Sequence, residues 1–142
     1  MATTRTAHTE WEGDLLQGSG EITLDSSGVG HYPVTWSSRT EDPHGKTSPE
    51  EMIAGAHSSC FAMHLSSELG KAGTPPTRLN TSAAVSFQPG SGIIGIHLTA
   101  EGQVPGIDEA GFNAAAEEAR VNCSVSQILT GTTITVSSAL SS

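Results

Sequence analysis

Positive charge is scarce in this chain. Its 142 residues carry six Lys and Arg against 15 Asp and Glu, for a formal net charge of −9. Phosphate backbones are held by clustered cations that displace counterions. Arg5, Arg39, Lys46, Lys71, Arg78 and Arg120 are scattered along the sequence, so nucleic acid is not an expected partner. Long hydrophobic runs are missing as well, and Met1-Ala2-Thr3-Thr4-Arg5 opens no apolar signal core. No membrane partner is expected, and the chain reads as soluble and cytoplasmic. Aromatic residues make up 4%, whereas glycine occurs 16 times, which points to an interior of closely approaching small side chains. Cysteine is scarce too, at positions 60 and 123 only. Thiols so far apart make neither a CxxC redox pocket nor a zinc knuckle. A static disulfide is uncommon in the cytoplasm, so the two are either buried filler or redox-active groups brought together by the fold.

What is present fits a single domain over 1–142. Short segments at 7–12, 21–25 and 33–37, punctuated by Glu12-Gly13-Asp14 and Ser26-Ser27-Gly28, predict an N-terminal three-stranded meander. The run Thr47-Ser48-Pro49-Glu50-Glu51 predicts a helix start, with Ser48 as N-cap, Pro49 as the first helical residue and Glu51 as capping-box carboxylate. From Met52 to Ser67 there is no Asp, Glu, Lys or Arg. This predicts a central helix about 24 Å long, covered nearly all round, with Ile53, Ala56, Cys60 and His64 on one stripe. Alternating segments at 79–88 and 93–103 predict a hairpin, Asp108 predicts a cap for a helix reaching Arg120, 123–129 a short helix, and 132–138 a last strand.

A thiol is nucleophilic only as thiolate, and apolar surroundings oppose that charge. Among the six cations, Arg39 is best placed to offset this at Cys60, because it precedes the loop that delivers the central helix. If Glu51 is committed to the cap, Glu50 is left to hold Arg39 through a two-pronged pair. Glu50 and Cys60 lie about 15 Å apart along a straight helix, so only the arginine could bridge them.

Other readings of the same residues stay open. Cys60 can be core filler, and both glutamates can be partners of the helix dipole. A metal site using His57, Cys60, His64 and Cys123 is disfavoured, because the two histidines are separated by about 10.5 Å of helical rise. A Cys–His hydrolase would use Cys60 with His64 or His97 as base. A non-catalytic dimeric module could take a lipid or hydrophobic metabolite in an apolar pocket.

The run from Thr47 to Phe61, TSPEEMIAGAHSSCF, resembles the helix motif of the OsmC/Ohr family of thiol peroxidases, and Asn122-Cys123-Ser124-Val125-Ser126 resembles its second-cysteine motif. His8-Thr9-Glu10-Trp11-Glu12-Gly13-Asp14 and Val104-Pro105-Gly106-Ile107-Asp108 extend the resemblance along nearly the whole chain. Ser124 stands where the family usually has proline, and Ser58-Ser59 where it is commonly alanine-rich. The resemblance implies an α+β fold with antiparallel sheets about a long central helix, in an intertwined homodimer with active sites at the subunit interface. It implies reduction of organic hydroperoxides without metal or cofactor, with Cys60 peroxidatic, Cys123 resolving, and Arg39 with Glu50 as the activating pair. Cys60 would attack the O–O bond to give an alcohol and a sulfenic acid, and Cys123 would condense with that acid to a disulfide. Met52, Phe61, Met63 and Ile107 would line the approach. The reductant would be a dithiol, such as a lipoyl-bearing protein. An arginine just before the helix matches the OsmC branch.

Overall fold

The computed structural model describes residues 1–141. The chain divides into two compact units, the first Met1–Met52 and the second from Ile53 onward.

In the first unit, β1 (His8–Glu12), β2 (Ser19–Thr23) and β3 (His31–Val34) form an antiparallel meander in that order. Trp11 pairs with Gly20, and Gly20 with Val34. The β1–β2 loop is tight: a Cβ on Gly18 would lie 2.3 Å from the Asp14 carbonyl, so only glycine fits there. The third strand is shorter than its composition predicts. Val-Thr-Trp favours extended backbone, but Thr35 instead caps a short helix, α1 (Trp36–Thr40). Its Oγ1 accepts from the Ser38 N–H at 3.1 Å, and Ser38 Oγ accepts from the Thr35 N–H at 2.9 Å. This reciprocal cap satisfies the donors of the turn and overrides strand propensity. The Ser38 hydroxyl also donates to the Thr47 carbonyl at 2.8 Å, and Thr47 bridges back to Val34.

Helix α2 (Pro49–Lys71) starts where the sequence places it. Ser48 Oγ accepts from the Glu51 N–H at 3.1 Å. The Glu51 carboxylate takes the Thr47 hydroxyl, at 2.5 Å. Further along, in the second unit, the fully buried stripe is His57, Phe61, Leu65 and Leu69, one position off the expected set. Ala56 is exposed and Met63 is 73% exposed, so a single chain does not cover this helix all round. Phe61, Leu65 and Leu69 take the one face the core offers, and Met63 is left outside with small residues such as Ala56.

The second sheet has the order β4 (Arg78–Gln88), β5 (Gly92–Gln103) and β6 (Ile134–Leu140). The hairpin β4–β5 is antiparallel, with a register shift at Ser86/Phe87. β6 pairs parallel to β5, from Ile96↔Ile134 to Gly102↔Leu140, because the crossover through α3 (Glu109–Asn122) and α4 (Ser124–Ile128) brings it back in the same direction. The class is α+β as expected, with this sheet mixed. Asp108 caps α3 by accepting from the Gly111 N–H at 2.8 Å. Phe61, Leu65, Leu98, Phe112, Ala116 and Cys123 belong to one buried cluster.

Gly102 illustrates how tightly the core is closed. A Cβ at this point of β5 would lie 2.8 Å from the Phe112 ring and 3.0 Å from Leu79 Cδ2. Gly102→Ala is expected to cost about 1–3 kcal/mol through forced repacking. The check is a lower urea midpoint with an unchanged denaturant slope.

Candidate active site

Arg39 and Glu50 meet in the first unit. The cap on α1 sets Arg39 in that helix's last turn, and the cap on α2 sets Glu50 in its first. Arg39 Nε donates to Glu50 Oε1 at 2.9 Å and Oε2 at 3.2 Å, and Nη2 donates to Oε2 at 2.8 Å. The carboxylate is only 8% exposed and the guanidinium side chain 30%. A fork geometry suits such a pair, because two N–H groups satisfy both oxygens of a carboxylate that water barely reaches. The guanidinium carbon also lies 5.7 Å from the centre of the Trp36 ring, within cation–π range. Beside it is a cavity of about 200 Å³ lined by Trp11, Leu15, Ile22, Val34, Trp36 and Arg39, among others. The cavity combines an apolar wall with a positive charge fixed in orientation.

Cys60 and Cys123 belong to the second unit, and both are free thiols. Cys60, half-buried on α2, packs against the core cluster of which Cys123 is a fully buried member. Cys123 ends α3 and caps α4, with φ −65 and ψ 145. Its N–H closes α3 on the Ala119 carbonyl at 3.0 Å. Its sulfur accepts from the Ser126 N–H at 3.4 Å and lies 3.0 Å from Ser126 Oγ. Ser126 Oγ is in turn 2.7 Å from His57 Nε2. Ser124, the departure from the family motif, is the first residue of α4 and exposed. Proline and serine both suit that position, and the contacts to the sulfur come from Ser126.

Of the residues expected to line an approach, Phe61 is entirely in the core, Ile107 packs against it, and Met63 is exposed. Met52 is half-buried and lines a separate cavity with Leu24, Tyr32 and Pro33. The candidate hydrolase bases are engaged elsewhere. His64 Nε2 faces Glu68 at 3.5 Å, and His97 sits on an exposed face between Thr135 at 2.5 Å and Ser137 at 3.1 Å. Among the described residues, no group of three or more His, Cys, Asp or Glu is arranged to hold a metal ion. No helix among them is long and apolar enough to cross a membrane.

Two contributors are not marked by the sequence. Trp36 has the composition of a strand residue, and Ser126 stands out only as part of the second-cysteine motif. The available signal for Ser126 was its spacing: a residue three positions after a helix N-cap offers its backbone N–H to the cap side chain.

Burial pushes the pKa of His57 below the ordinary 6.5, since a charged imidazole would have to leave water. The consequence for stability has a definite sign. Above pH 6.5 the ring is neutral whether the chain is folded or unfolded; below it the unfolded chain takes up the proton first, so stability falls as pH drops. Urea titrations from pH 7.5 down to about 5 should show this loss, and His57→Gln should flatten it. His8 works in the opposite sense, because its hydrogen bond to Asp25 raises its pKa; comparison with His57→Gln isolates the buried ring.

Residues 41–138 match the family model described as OsmC-like protein. The peroxiredoxin OsmC of Escherichia coli K12 is 41% identical over 122 residues, which cover 84% of this chain and 85% of that protein. Among solved structures, an OsmC-like protein from Vibrio cholerae superposes with a TM-score of 0.73 at 15% identity, covering 97% of this chain and 100% of the other. An OsmC organic hydroperoxide resistance protein from Legionella pneumophila superposes with a TM-score of 0.66 at 17% identity, covering 99% and 100%. These two likenesses establish the fold. Together with the family match and the extent of the identity, they show that this chain belongs to the OsmC-like family.

Proposed function

We propose that this protein is a thiol peroxidase that reduces organic hydroperoxides to alcohols. In the first step the Cys60 thiolate attacks the O–O bond of ROOH. The sulfur gains one oxygen, and the alkoxide leaves as ROH after protonation. In the second step Cys123 condenses with the Cys60 sulfenic acid, forming the S–S bond and releasing water. A dithiol reductant then regenerates both thiols, and a lipoyl-bearing protein is the family expectation. The electrons come from sulfur throughout, so no cofactor or metal enters the scheme.

The observation that carries this reading is the pairing of two unbridged thiols on one buried cluster in a chain 41% identical to a peroxiredoxin. The fixed guanidinium of Arg39, held by Glu50, supports its role as the activating charge, since preorganised donors stabilise developing negative charge. The apolar wall beside Arg39 supports an organic hydroperoxide in preference to hydrogen peroxide. We read 1–142 as one functional domain acting in the cytoplasm as a homodimer.

The test is intact mass before and after one equivalent of an alkyl hydroperoxide. Loss of two hydrogens, reversed by a small dithiol, is the expected result. If both thiols remain free after exposure, the proposal fails, and a binding module for hydrophobic ligands becomes the better account.

A further inference from the structure

We propose that His57 and Ser126 form a buried donor chain ending on the sulfur of Cys123, and that this chain stabilises the negative charge on that sulfur as it attacks the Cys60 sulfenic acid. The proposal rests on the peroxidase reading above and assigns a positioning role to two residues outside the two-cysteine chemistry.

The direction of the chain follows from its unpaired end. His57 is 0% exposed, and its Nδ1 is buried without a hydrogen-bond partner among the described residues, whereas Nε2 meets Ser126 Oγ at 2.7 Å. A neutral imidazole carries one N–H and one lone pair. Leaving a lone pair unmatched in the interior costs less than leaving an N–H unmatched, so the proton belongs on Nε2 and the bare lone pair on Nδ1. Nε2–H then donates to Ser126 Oγ. That frees the hydroxyl proton of Ser126 for Cys123 Sγ, 3.0 Å away, and the Ser126 N–H adds a second donor at 3.4 Å. Burial keeps His57 neutral, so it acts as a donor and not as a base.

Other ionisable groups on the surrounding elements have partners of their own. His64 is paired with Glu68 on α2, Arg120 with Glu117 on α3, and Glu118 accepts from Asn122. His97 on β5 bridges Thr135 and Ser137. Cys60 packs against the same cluster and is the reaction partner.

The step balances. The Cys123 thiolate attacks the sulfenic sulfur of Cys60, the S–S bond forms, and the S–O bond breaks. The hydroxide that leaves takes the proton Cys123 gave up, yielding water. Cys123 is oxidised and the Cys60 sulfenic acid reduced, to the disulfide level in both cases.

The test begins in a Cys60→Ser protein, where Cys123 is the one remaining thiol and its thiolate is read by ultraviolet absorbance. At a pH where the thiol form dominates, adding Ser126→Ala should lower the thiolate fraction about tenfold, the size expected for one lost hydrogen bond to a charged group. His57→Leu should lower it in the same direction, and His57→Gln, which keeps an N–H donor, should restore most of it. An unchanged thiolate fraction in Ser126→Ala overturns the proposal. A second measurement leaves His57 and Ser126 native: nitrogen NMR of His57 in the Cys60→Ser protein should follow the same midpoint as the absorbance, and independent titration overturns the proposal equally. These readings use no peroxide, so a protein inert to hydroperoxide would sink the peroxidase reading while leaving the donor chain to stand or fall on its own. With hydroperoxide, Ser126→Ala should slow consumption of the sulfenic acid about tenfold relative to its formation.

Discussion

Cys60→Ser is expected to reduce hydroperoxide turnover to the uncatalysed rate, whereas Cys123→Ser should complete one turnover and stop. The difference follows from where each thiol acts. Without the Cys60 sulfur nothing accepts the peroxide oxygen, because a serine hydroxyl is a weak nucleophile without an adjacent base. Without Cys123 the first step proceeds, and the sulfenic acid has no buried thiol to condense with. Excess peroxide then carries Cys60 to the sulfinic level, which small dithiols do not reverse. Mass spectrometry separates the cases: no added oxygen in Cys60→Ser, one and then two in Cys123→Ser. Serine at 123 keeps the Ser126 donors occupied, so the fold should survive with a loss of about 1 kcal/mol. If Cys123→Ser cycles at the native rate with a small dithiol, the resolving role belongs to the added reagent and not to the protein.

Arg39→Ala should be damaging twice over, and the two effects are separable. Removing the guanidinium strands the Glu50 carboxylate, 8% exposed, without its donors. Breaking a buried pair from one side costs about 3–5 kcal/mol, and partial exposure of Arg39 brings the expectation down to about 2–4 kcal/mol. The double change Arg39→Met with Glu50→Leu removes both charges and should recover most of that stability, as apolar replacements of ion pairs do. Under the proposed mechanism it should recover no activity, with turnover staying about 100-fold or more below native. A double variant that is stable and active would show the pair to be architectural. Arg39→Lys should rescue only part of the activity, since an ammonium cannot fork across two carboxylate oxygens.

Features governed by local chemistry were legible in the sequence. Ser48 before Pro49 marked the start of α2, Asp108 that of α3, and the Pro89-Gly90-Ser91-Gly92 run marked the hairpin turn. Segments where one local preference competes with another are not legible in this way. Thr35 and Trp36 favour extended backbone, and only the reciprocal bonds between Thr35 and Ser38 tipped the segment into α1. The buried face of α2 is obscure for a different reason. A run without acids or bases gives no polar edge from which to find the inward face, so Phe61, Leu65 and Leu69 had to be located by what they pack against. Arg39 and Glu50 could be singled out from residue type and order, since few cations compete. Their separation could not, because it depends on the path from α1 back through Thr47. The parallel pairing of β6 was hidden in the same way: strand composition carries no direction.

That last pairing bears on how the protein is made. β6 joins β5 across the segment that carries Cys123, so closing the sheet must await synthesis through residue 140. Contacts this distant in sequence form late, after the intervening loop has been ordered. A nascent chain halted before Ile134 would therefore hold Cys123 without the strand whose Ile134, Val136 and Leu140 pack against its buried cluster. Protection of that thiol is thus tied to a strand pairing that local sequence alone does not dictate.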